Sequence, residues 1–228
     1  MSIGEILKDS IKYPLSDGKK ILILGVIILF SEISGIATFL GTRNVALIGL
    51  LMIIGVLIDA LAYGYLFRII KSSLAGLAEL PNFNSWFEMF IDGIKLLIVS
   101  TVYLIPALIM NLVGGVLDLI AILYFIIIIP ILLIAICNMA NTDGKLSAVF
   151  RFREIFNKIK NIGWANLIIW YIVTGILLLI MSFIGLIVTM IIAMLTSLIV
   201  GIVLFSLIIV PYLAIYLFRG VALFYMSK

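Results

Sequence analysis

The sequence contains no histidine and a single cysteine, Cys137, and only 11% of its 228 residues carry a formal charge. An ordinary soluble domain has about 25% charged residues. Without histidine or a second cysteine, the chain cannot form an intrachain disulfide, a Cys/His zinc site or a histidine-based catalytic triad. It also lacks a Walker loop, a G-x-G-x-x-G fingerprint and a G-x-S-x-G elbow. We therefore expect a non-catalytic protein that holds no metal and no cofactor.

Apolar residues, in contrast, make up 65% of the chain. A soluble fold of this size would leave large contiguous apolar patches on its surface, so the composition indicates an integral membrane protein. The spans of a β-barrel would alternate apolar and polar residues, and runs such as Ile126–Ile129 do not. We predict an all-α fold, a polytopic transmembrane helical bundle that forms a single integral membrane domain.

Six apolar stretches are long enough to cross a bilayer, whose core of about 30 Å needs roughly 20 helical residues. Four come first: Ile21–Leu40, Val45 to about Ile70, one that begins at Leu96 and one near Leu117. The last uncharged stretch, Asn161–Phe218, favours two further spans that turn between Gly185 and Gly201. Proline interrupts spans three, four and six, where we expect kinks: at Pro106, Pro130 and Pro211.

The basic residues fall almost entirely on one side of this arrangement, since six spans place both chain ends on the same side. Only Arg43 lies on the opposite side. The fourteen others are Lys8, Lys12, Lys19, Lys20, Arg68, Lys71, Lys95, Lys145, Arg151, Arg153, Lys158, Lys160, Arg219 and Lys228. The positive-inside rule therefore predicts a multi-pass protein of the plasma membrane with both termini in the cytoplasm. The net charge of +4 is explained by anionic lipid head groups, and no nucleic-acid partner is expected.

A short amphipathic segment precedes each pair of spans. Ser2–Lys12 and Ser85–Lys95 share serine, glutamate, aspartate, isoleucine and lysine at identical offsets, and Glu154–Lys160 is a looser copy. Ser-x-x-Glu is typical of a capping box at a helix start, and the closing lysine suits the negative end of the helix. We interpret the chain as three parallel units of surface helix plus helical hairpin, at approximately 1–80, 81–145 and 146–228.

These segments are predicted to lie in the plane of the lipid head groups with their apolar faces in the bilayer. Aromatic side chains are enriched at that depth. The residues that we expect to contact the membrane interface are Trp86, Phe87, Phe90, Lys12, Lys95 and Lys160.

Three stretches of the sequence resemble a known family. Leu80–Lys95, Tyr63–Arg68 and the N-terminal Ser2–Lys20 are similar to a largely archaeal group of membrane proteins, catalogued as domain of unknown function 4013. The resemblance covers nearly the whole chain. It implies a polytopic membrane protein, and it implies no activity and no functional residues.

Two acidic residues lie inside the predicted spans. Counted by helical rise, Glu32 and Asp59 are near the middle of the bilayer on adjacent helices of one hairpin. A carboxylate at that depth costs a few kcal/mol unless it is protonated, paired or hydrated, and no basic residue shares the depth. We expect both acids to face the protein interior and to share a proton. They belong either to an ion or proton path or to a neutral hydrogen bond between helices.

Two functions fit these features. The paired acids favour permeation or transport of an ion or small solute. The sparse polar content favours a membrane-organising, assembly or lipid-binding scaffold. Because a 25.2 kDa chain is small for a transporter acting alone, we expect a homo-oligomer or a complex with another membrane protein.

Overall fold

The computed structural model describes residues 1–227, so that Lys228 of the predicted basic side lies outside the described residues. Helices account for 86% of the chain, and the described part contains no strand. The helices are α1 Ile3–Lys12, α2 Gly18–Ser31, α3 Ile33–Phe39, α4 Val45–Leu74, α5 Trp86–Val113, α6 Val116–Ala140, α7 Phe152–Ile162, α8 Trp164–Leu195, α9 Leu198–Leu204 and α10 Val210–Met226. The all-α polytopic bundle is confirmed.

Five helices are long and apolar enough to cross a membrane, or six when the bent pair of α2 and α3 is counted as one span. The pair has an angle of 57° between its halves, and α9 and α10 together make the last span. The short Leu40–Asn44 connection leads from α3 directly to the start of α4. The last two spans turn at Thr196 and Ser197, within the predicted interval from Gly185 to Gly201.

Both ends of the chain lie at the same end of the bundle, which we call the terminal end. There the Arg219 guanidinium of α10 donates to Asp9 of α1 over 2.8 Å and to the Leu77 carbonyl over 2.8 Å. The opposite, distal end carries the three tight connections at 40–44, 114–115 and 196–197. A shared end for both termini agrees with an even number of crossings. Its cytoplasmic location stays a prediction.

The two halves of the bundle are packed very differently. Near the terminal end the side chains of Tyr65, Val99 and Ile134 are completely buried. Near the distal end Leu112 is 88% exposed and Met194 is 81% exposed. The apolar surface of the distal half therefore requires a covering of lipid or protein.

The surface helices α1 and α7 close the terminal end. Ile6 of α1 and Ile155 and Ile159 of α7 are at most 1% exposed and belong to the common core. The prediction that their apolar faces rest in lipid is therefore wrong, because these faces pack on the bundle itself. The capping box of α1 is confirmed, since the Ser2 amide donates to Glu5 over 2.8 Å and the Glu5 amide donates to the Ser2 hydroxyl over 3.3 Å.

The second amphipathic segment is not a separate helix. It forms the first turns of α5, which continues unbroken from Trp86 to Val113. Ser85 adopts a left-handed conformation with φ of 47°, and its side chain makes no capping hydrogen bond. The reason lies in the preceding loop, where the Arg68 guanidinium binds the carbonyls of Asn82 and Asn84 over 3.0 and 2.7 Å and fixes the chain before it enters α5.

Glycines allow α4 and α5 to approach unusually closely along this continuous helix. A Cβ atom on Gly64 would overlap the Met89 backbone, and one on Gly93 would overlap the Ala60 backbone. Small residues at such crossings are typical of membrane helix packing. The close contact holds the first turns of α5 against α4, where a separate surface helix was predicted.

Candidate functional site

Glu32 occupies the break in the first span. Helix α2 ends at Ser31 and α3 begins at Ile33, which leaves Glu32 between two helices that differ by 57° in direction. The Ser31 hydroxyl donates to the Ile28 carbonyl over 2.8 Å, and the Ser31 carbonyl packs against Gly55 of α4. Serine and glycine at a contact are a common cause of a sharp bend in a membrane helix.

A second irregular segment faces this break. Residues Phe205–Ile209 form a π-helical turn between α9 and α10, just before Pro211. Proline has no amide hydrogen, so a regular helix loses one backbone hydrogen bond at this point. The Leu207 carbonyl of the turn packs against Gly25 of α2. Non-helical backbone at membrane depth is tolerated where it is covered by protein or lines a cavity.

A groove runs between these two segments, and we call it the Glu32 groove. It comprises two adjoining cavities of about 180 and about 330 Å³, both lined by Glu32. The smaller cavity is otherwise apolar, with Gly35, Ile36 and Phe39 on one side and α9 on the other. The larger cavity adds the hydroxyl groups of Thr189 and Ser206.

The groove contains few polar groups and no positive charge. The Glu32 side chain has no ion pair or hydrogen bond within residues 1–227, and no lysine or arginine lines either cavity. The Thr189 hydroxyl donates to the Gly185 carbonyl over 2.9 Å, which leaves its oxygen able to accept. The larger cavity is thus lined by three polar side chains, Glu32, Thr189 and Ser206, and is otherwise apolar.

The structure places Asp59 elsewhere. Ser31 packs against Gly55 of α4, and Asp59 lies four residues further along that helix, about 6 Å toward the terminal end. Asp59 does not line the Glu32 groove, and its side chain lies near Tyr63, one turn away on the same helix. The Glu32 side chain is exposed and that of Asp59 is half-buried, so the prediction that both acids face the protein interior is wrong for Glu32. The described contacts do not join the two acids, and a shared proton stays a prediction.

Glu32 is also nearer the distal end than its position in the sequence indicated. It shares its groove with Thr189, six residues before the end of α8, and with Gly201, three residues after the start of α9. These separations correspond to roughly 5–9 Å of helix. The bend of 57° between α2 and α3 shortens the end-to-end length of the first span, and counting residues along a straight helix could not show this.

Thr189 and Ser206 were missed as site residues by reasoning from the sequence. In the sequence they are two of many hydroxyl groups scattered over apolar helices. A partial signal was present, because Ser206 precedes Pro211 by one helical turn and proline marks an irregular helix. Nothing in the sequence joined that turn to Glu32, which is more than 170 residues away.

The predicted interfacial residues lie at the surface of the terminal half. Trp86 is 47% and Phe87 is 77% exposed, and Phe90 is partly buried. Lys95 donates to Asp92 over 3.0 Å, and Lys71 donates to the same carboxylate over 2.7 Å. The remaining two, Lys12 and Lys160, are exposed in the last turns of α1 and α7. Their contact with lipid head groups stays a prediction.

The loop between α4 and α5 is held by side chains that donate to its carbonyl oxygens. Tyr13 donates to Glu79 over 2.9 Å, Lys20 donates to Leu80 over 2.7 Å, and Tyr65 donates to Pro81 over 3.1 Å. Burial raises the pKa of the Tyr13 phenol, which keeps it protonated as a donor. Together with α1 and α7, this loop closes the terminal end of the bundle.

Comparison with known proteins extends this description. Residues 47–190 match the model of a family described as "Protein of unknown function (DUF4013)". The chain belongs to the DUF4013 family. In this DUF4013 protein the match includes Asp59, the glycine contact and the loop before α5, and it ends just past Thr189, whereas Glu32 and Ser206 lie outside it. No curated protein and no solved structure matches the chain.

The described residues include no group of three or more histidine, cysteine, aspartate or glutamate side chains that could hold a metal ion. The chemistry that the Glu32 groove offers is limited to one carboxyl group and two hydroxyl groups beside apolar surface. Such a site binds by charge and hydrogen bonding at one end of a ligand and by apolar contact along the rest.

Proposed function

We propose that this protein is a non-catalytic membrane protein that binds a lipid-like molecule in the Glu32 groove. The observation that carries the proposal is a single acid in an apolar groove between membrane helices. A ligand that fits has a long apolar chain along α3 and α9. Its head group donates hydrogen bonds or carries a positive charge at Glu32.

The electrostatics of the groove support a ligand of this kind. An ionised carboxylate in hydrocarbon is unfavourable unless it is paired or reached by water. No basic side chain of the described chain lines the groove, so an amine head group would supply the missing partner. The packed interior supports binding rather than passage, because the side chains of Tyr65, Val99 and Ile134 are completely buried in the bundle.

Native mass spectrometry of the protein in mild detergent tests this proposal. A Cβ atom on Gly35 meets no atom within 4 Å and Gly35 lines the groove, so Gly35→Leu is expected to place its side chain in the groove. Gly49→Leu is the matched control, since that helical position is equally open and lies outside the groove. We expect the parent and Gly49→Leu to retain bound phosphatidylethanolamine, and Gly35→Leu to lose it.

The charge of Glu32 is tested separately. Glu32→Gln is expected to remove the preference for phosphatidylethanolamine over phosphatidylglycerol, because the amide no longer pairs with an ammonium group. Equal lipid retention by the parent, Gly35→Leu and Glu32→Gln contradicts the proposal.

Permeation of an ion or small solute is the second candidate. It is favoured by one observation, the meeting of a broken helix at Glu32 and a π-helical turn at Phe205–Ile209, since discontinuous helices form ion sites in several transporter folds. A path would then involve Glu32 and Asp59 and would run between copies in a homo-oligomer. In liposome flux assays, Glu32→Gln and Asp59→Asn should lower the flux of the parent, and flux at background in all three removes this candidate.

The distal half of the bundle supplies the proposed partner surface. Its apolar helices would be covered by the bilayer and by a second copy or another membrane protein.

The proposed orientation, with both termini in the cytoplasm of a plasma-membrane protein, is tested by cysteine labelling in a Cys137→Ala background. The thiol of Ser2→Cys should be protected from an impermeant reagent in intact cells, and that of Thr42→Cys should react.

A further inference from the structure

An acid and a phenol lie together on α4 at membrane depth. Asp59 is half-way along this helix of 30 residues, so it is roughly 20 Å from either end. A bilayer core of about 30 Å therefore contains Asp59 whichever part of α4 it covers. The Asp59 side chain is half-buried, and Tyr63, one helical turn further on, is exposed. Both groups are thus within reach of whatever covers this part of α4.

The two polar groups lack a partner of their own chain. Within residues 1–227, neither the Asp59 carboxyl group nor the Tyr63 hydroxyl makes an ion pair or a hydrogen bond. Acids inside membrane spans are rare and pair with another polar group, because hydrocarbon offers none. A phospholipid carries its polar head at the membrane surface and not at this depth. The covering of Asp59 therefore requires a polar group near the middle of the bilayer.

The residues around Asp59 form a seam with the spacing of paired helices. Exposed or half-buried side chains recur at intervals of four, three and four residues, at Met52, Val56, Asp59 and Tyr63. This is the heptad spacing at which two α-helices pack along each other. We call these four residues the Asp59 face.

The helices that pack on α4 leave the Asp59 face open. The first span packs against Gly55, and α5 packs against Ala60 and Gly64. At about 100° per residue, Gly55 lies on one flank of the face, and Ala60 and Gly64 lie on the other. Val56, between these flanks, is 55% exposed. The face is therefore free to receive another helix.

We propose that the Asp59 face is the interface of a homodimer, in which α4 packs in parallel against α4 of a second copy. Copies inserted in the same orientation are related by a two-fold axis along the membrane normal, so each residue of the face meets its own counterpart. A second copy thus brings an acid and a phenol to the required depth. Polar side chains at such contacts hold membrane helices together.

The direction of the side chains supports this pairing. Side chains on a helix lean toward its N-terminus, so the Tyr63 hydroxyl of one copy reaches back to the level of Asp59 of the other. There the hydroxyl can donate to the carboxyl group. The two Asp59 side chains meet near the axis, where a proton held between them removes their mutual repulsion.

Disulfide cross-linking in phosphatidylcholine vesicles tests the interface. In a Cys137→Ala background, Val56→Cys is compared with Leu57→Cys, its matched control. The two positions are neighbours and are 55% and 50% exposed, but Leu57 points about 100° away from Val56. The full chain is oxidised with copper phenanthroline. We expect Val56→Cys to form a disulfide-linked dimer and Leu57→Cys to remain a monomer.

Energy transfer between donor- and acceptor-labelled copies in the same vesicles tests the polar groups. The association constant is measured by varying the ratio of protein to lipid. Asp59→Leu should lower it by at least about tenfold, and Tyr63→Phe by about three- to tenfold, because each removes two symmetry-related hydrogen bonds. Asp59→Asn should retain most of the association, since an amide still forms hydrogen bonds across the pair.

Specific outcomes overturn the proposal. Equal cross-linking of Val56→Cys and Leu57→Cys does so, and so does an association constant that Asp59→Leu leaves unchanged. In native membranes, a cross-linked Val56→Cys product that is not twice the mass of the chain would show a different membrane protein at this face. If Asp59→Leu does not fold, the comparison of Tyr63→Phe with the parent decides. Failure here leaves the Glu32 groove untouched, because Asp59 does not line the groove and lipid retention measures that site with Gly35→Leu and Glu32→Gln.

Discussion

The contact between α4 and α5 gives the sharpest prediction about stability. We expect Gly93→Ala to destabilise the protein, although alanine is the better helix former. A Cβ atom on Gly93 would lie 2.6 Å from the Ala60 carbonyl carbon and 2.9 Å from the Gly64 amide nitrogen. Both neighbours are backbone atoms, so neither can rotate away as a flexible side chain would.

The magnitude follows from the displacement that the methyl group demands. Ordinary contact begins at 3.4 Å, and the Ala60 carbonyl oxygen lies closer still than its carbonyl carbon at 2.6 Å, so the helices must separate by well over 0.8 Å, the difference between 3.4 and 2.6 Å. Overpacking of this kind typically costs about 1–3 kcal/mol. The change from glycine to alanine offsets up to about 1 kcal/mol through helix propensity. Because the overlap is with backbone atoms, the cost lies at the upper end of that range, and we expect the free energy of unfolding to fall by about 2 kcal/mol, the difference between about 3 and about 1 kcal/mol.

A matched control separates these two contributions. Gly49 lies on α4 where a Cβ atom meets nothing within 4 Å, so Gly49→Ala should be neutral or slightly stabilising. Gly64→Ala meets the Met89 backbone at the same crossing and should behave like Gly93→Ala. Once one methyl group has moved the helices apart, the second meets less resistance, so the double variant should lose less than the sum of the single losses.

Denaturant-induced unfolding in detergent, followed by tryptophan fluorescence, measures these differences, and thermal melting provides a second reading. The reasoning is refuted if Gly93→Ala and Gly49→Ala unfold at the same denaturant concentration. It is also refuted if Gly64→Ala and Gly93→Ala add without coupling, because then each position accommodates its methyl group locally.

Three further predictions concern the terminal end. Arg219→Ala should lower the free energy of unfolding by about 2–4 kcal/mol, because it leaves Asp9 and the Ser73 hydroxyl without their partner. Arg219→Lys should not restore this loss, since an ammonium group lacks the planar fork of a guanidinium. Chemical denaturation measures both variants. Asn138→Ala should lower the free energy of unfolding by about 1–3 kcal/mol, because the Ala148 carbonyl and the Tyr225 hydroxyl lose their partner. The same unfolding assay measures this loss, with Asn141→Ala as a control at an exposed position. The hydrogen bond from the Ser2 amide lowers the pKa of Glu5 below 4.5. The ionised Glu5 carboxylate therefore stabilises α1 above pH 4.5, and this stabilisation is lost as the pH falls through the lowered pKa. A spin label on α1 should become mobile on acidification in the parent and be insensitive to pH in Glu5→Gln.

The helical spans, the last turn between spans and the capping box of α1 could be predicted from the sequence, because each depends on residues that are close together in the chain. Helical spans follow from long runs such as Val45 to Ile70, because a backbone in hydrocarbon must pair its polar groups internally whatever its neighbours are. The last turn was expected between Gly185 and Gly201 and occurs at Thr196 and Ser197. The capping box at Ser2 and Glu5 involves atoms only three residues apart, so sequence proximity was sufficient.

The predictions that were wrong depended on contacts distant in sequence. An amphipathic helix buries its apolar face in lipid or in protein, and the pattern around Ile6 or Ile155 is the same in both cases. At Ser85 the local capping signal was overridden by Arg68, which fixes the preceding loop, and by Gly93, which holds α5 against α4.

Composition and motifs were sufficient to predict a multi-pass helical membrane protein similar to the DUF4013 family, and they identified Glu32 as an acid within an apolar span. The surroundings of that acid became known from the packing of the helices. The break at Glu32, the π-helical turn before Pro211 and the hydroxyl of Thr189 come from three separate spans. Composition and periodicity show how each helix meets an apolar solvent, whereas a binding site depends on which helix faces which.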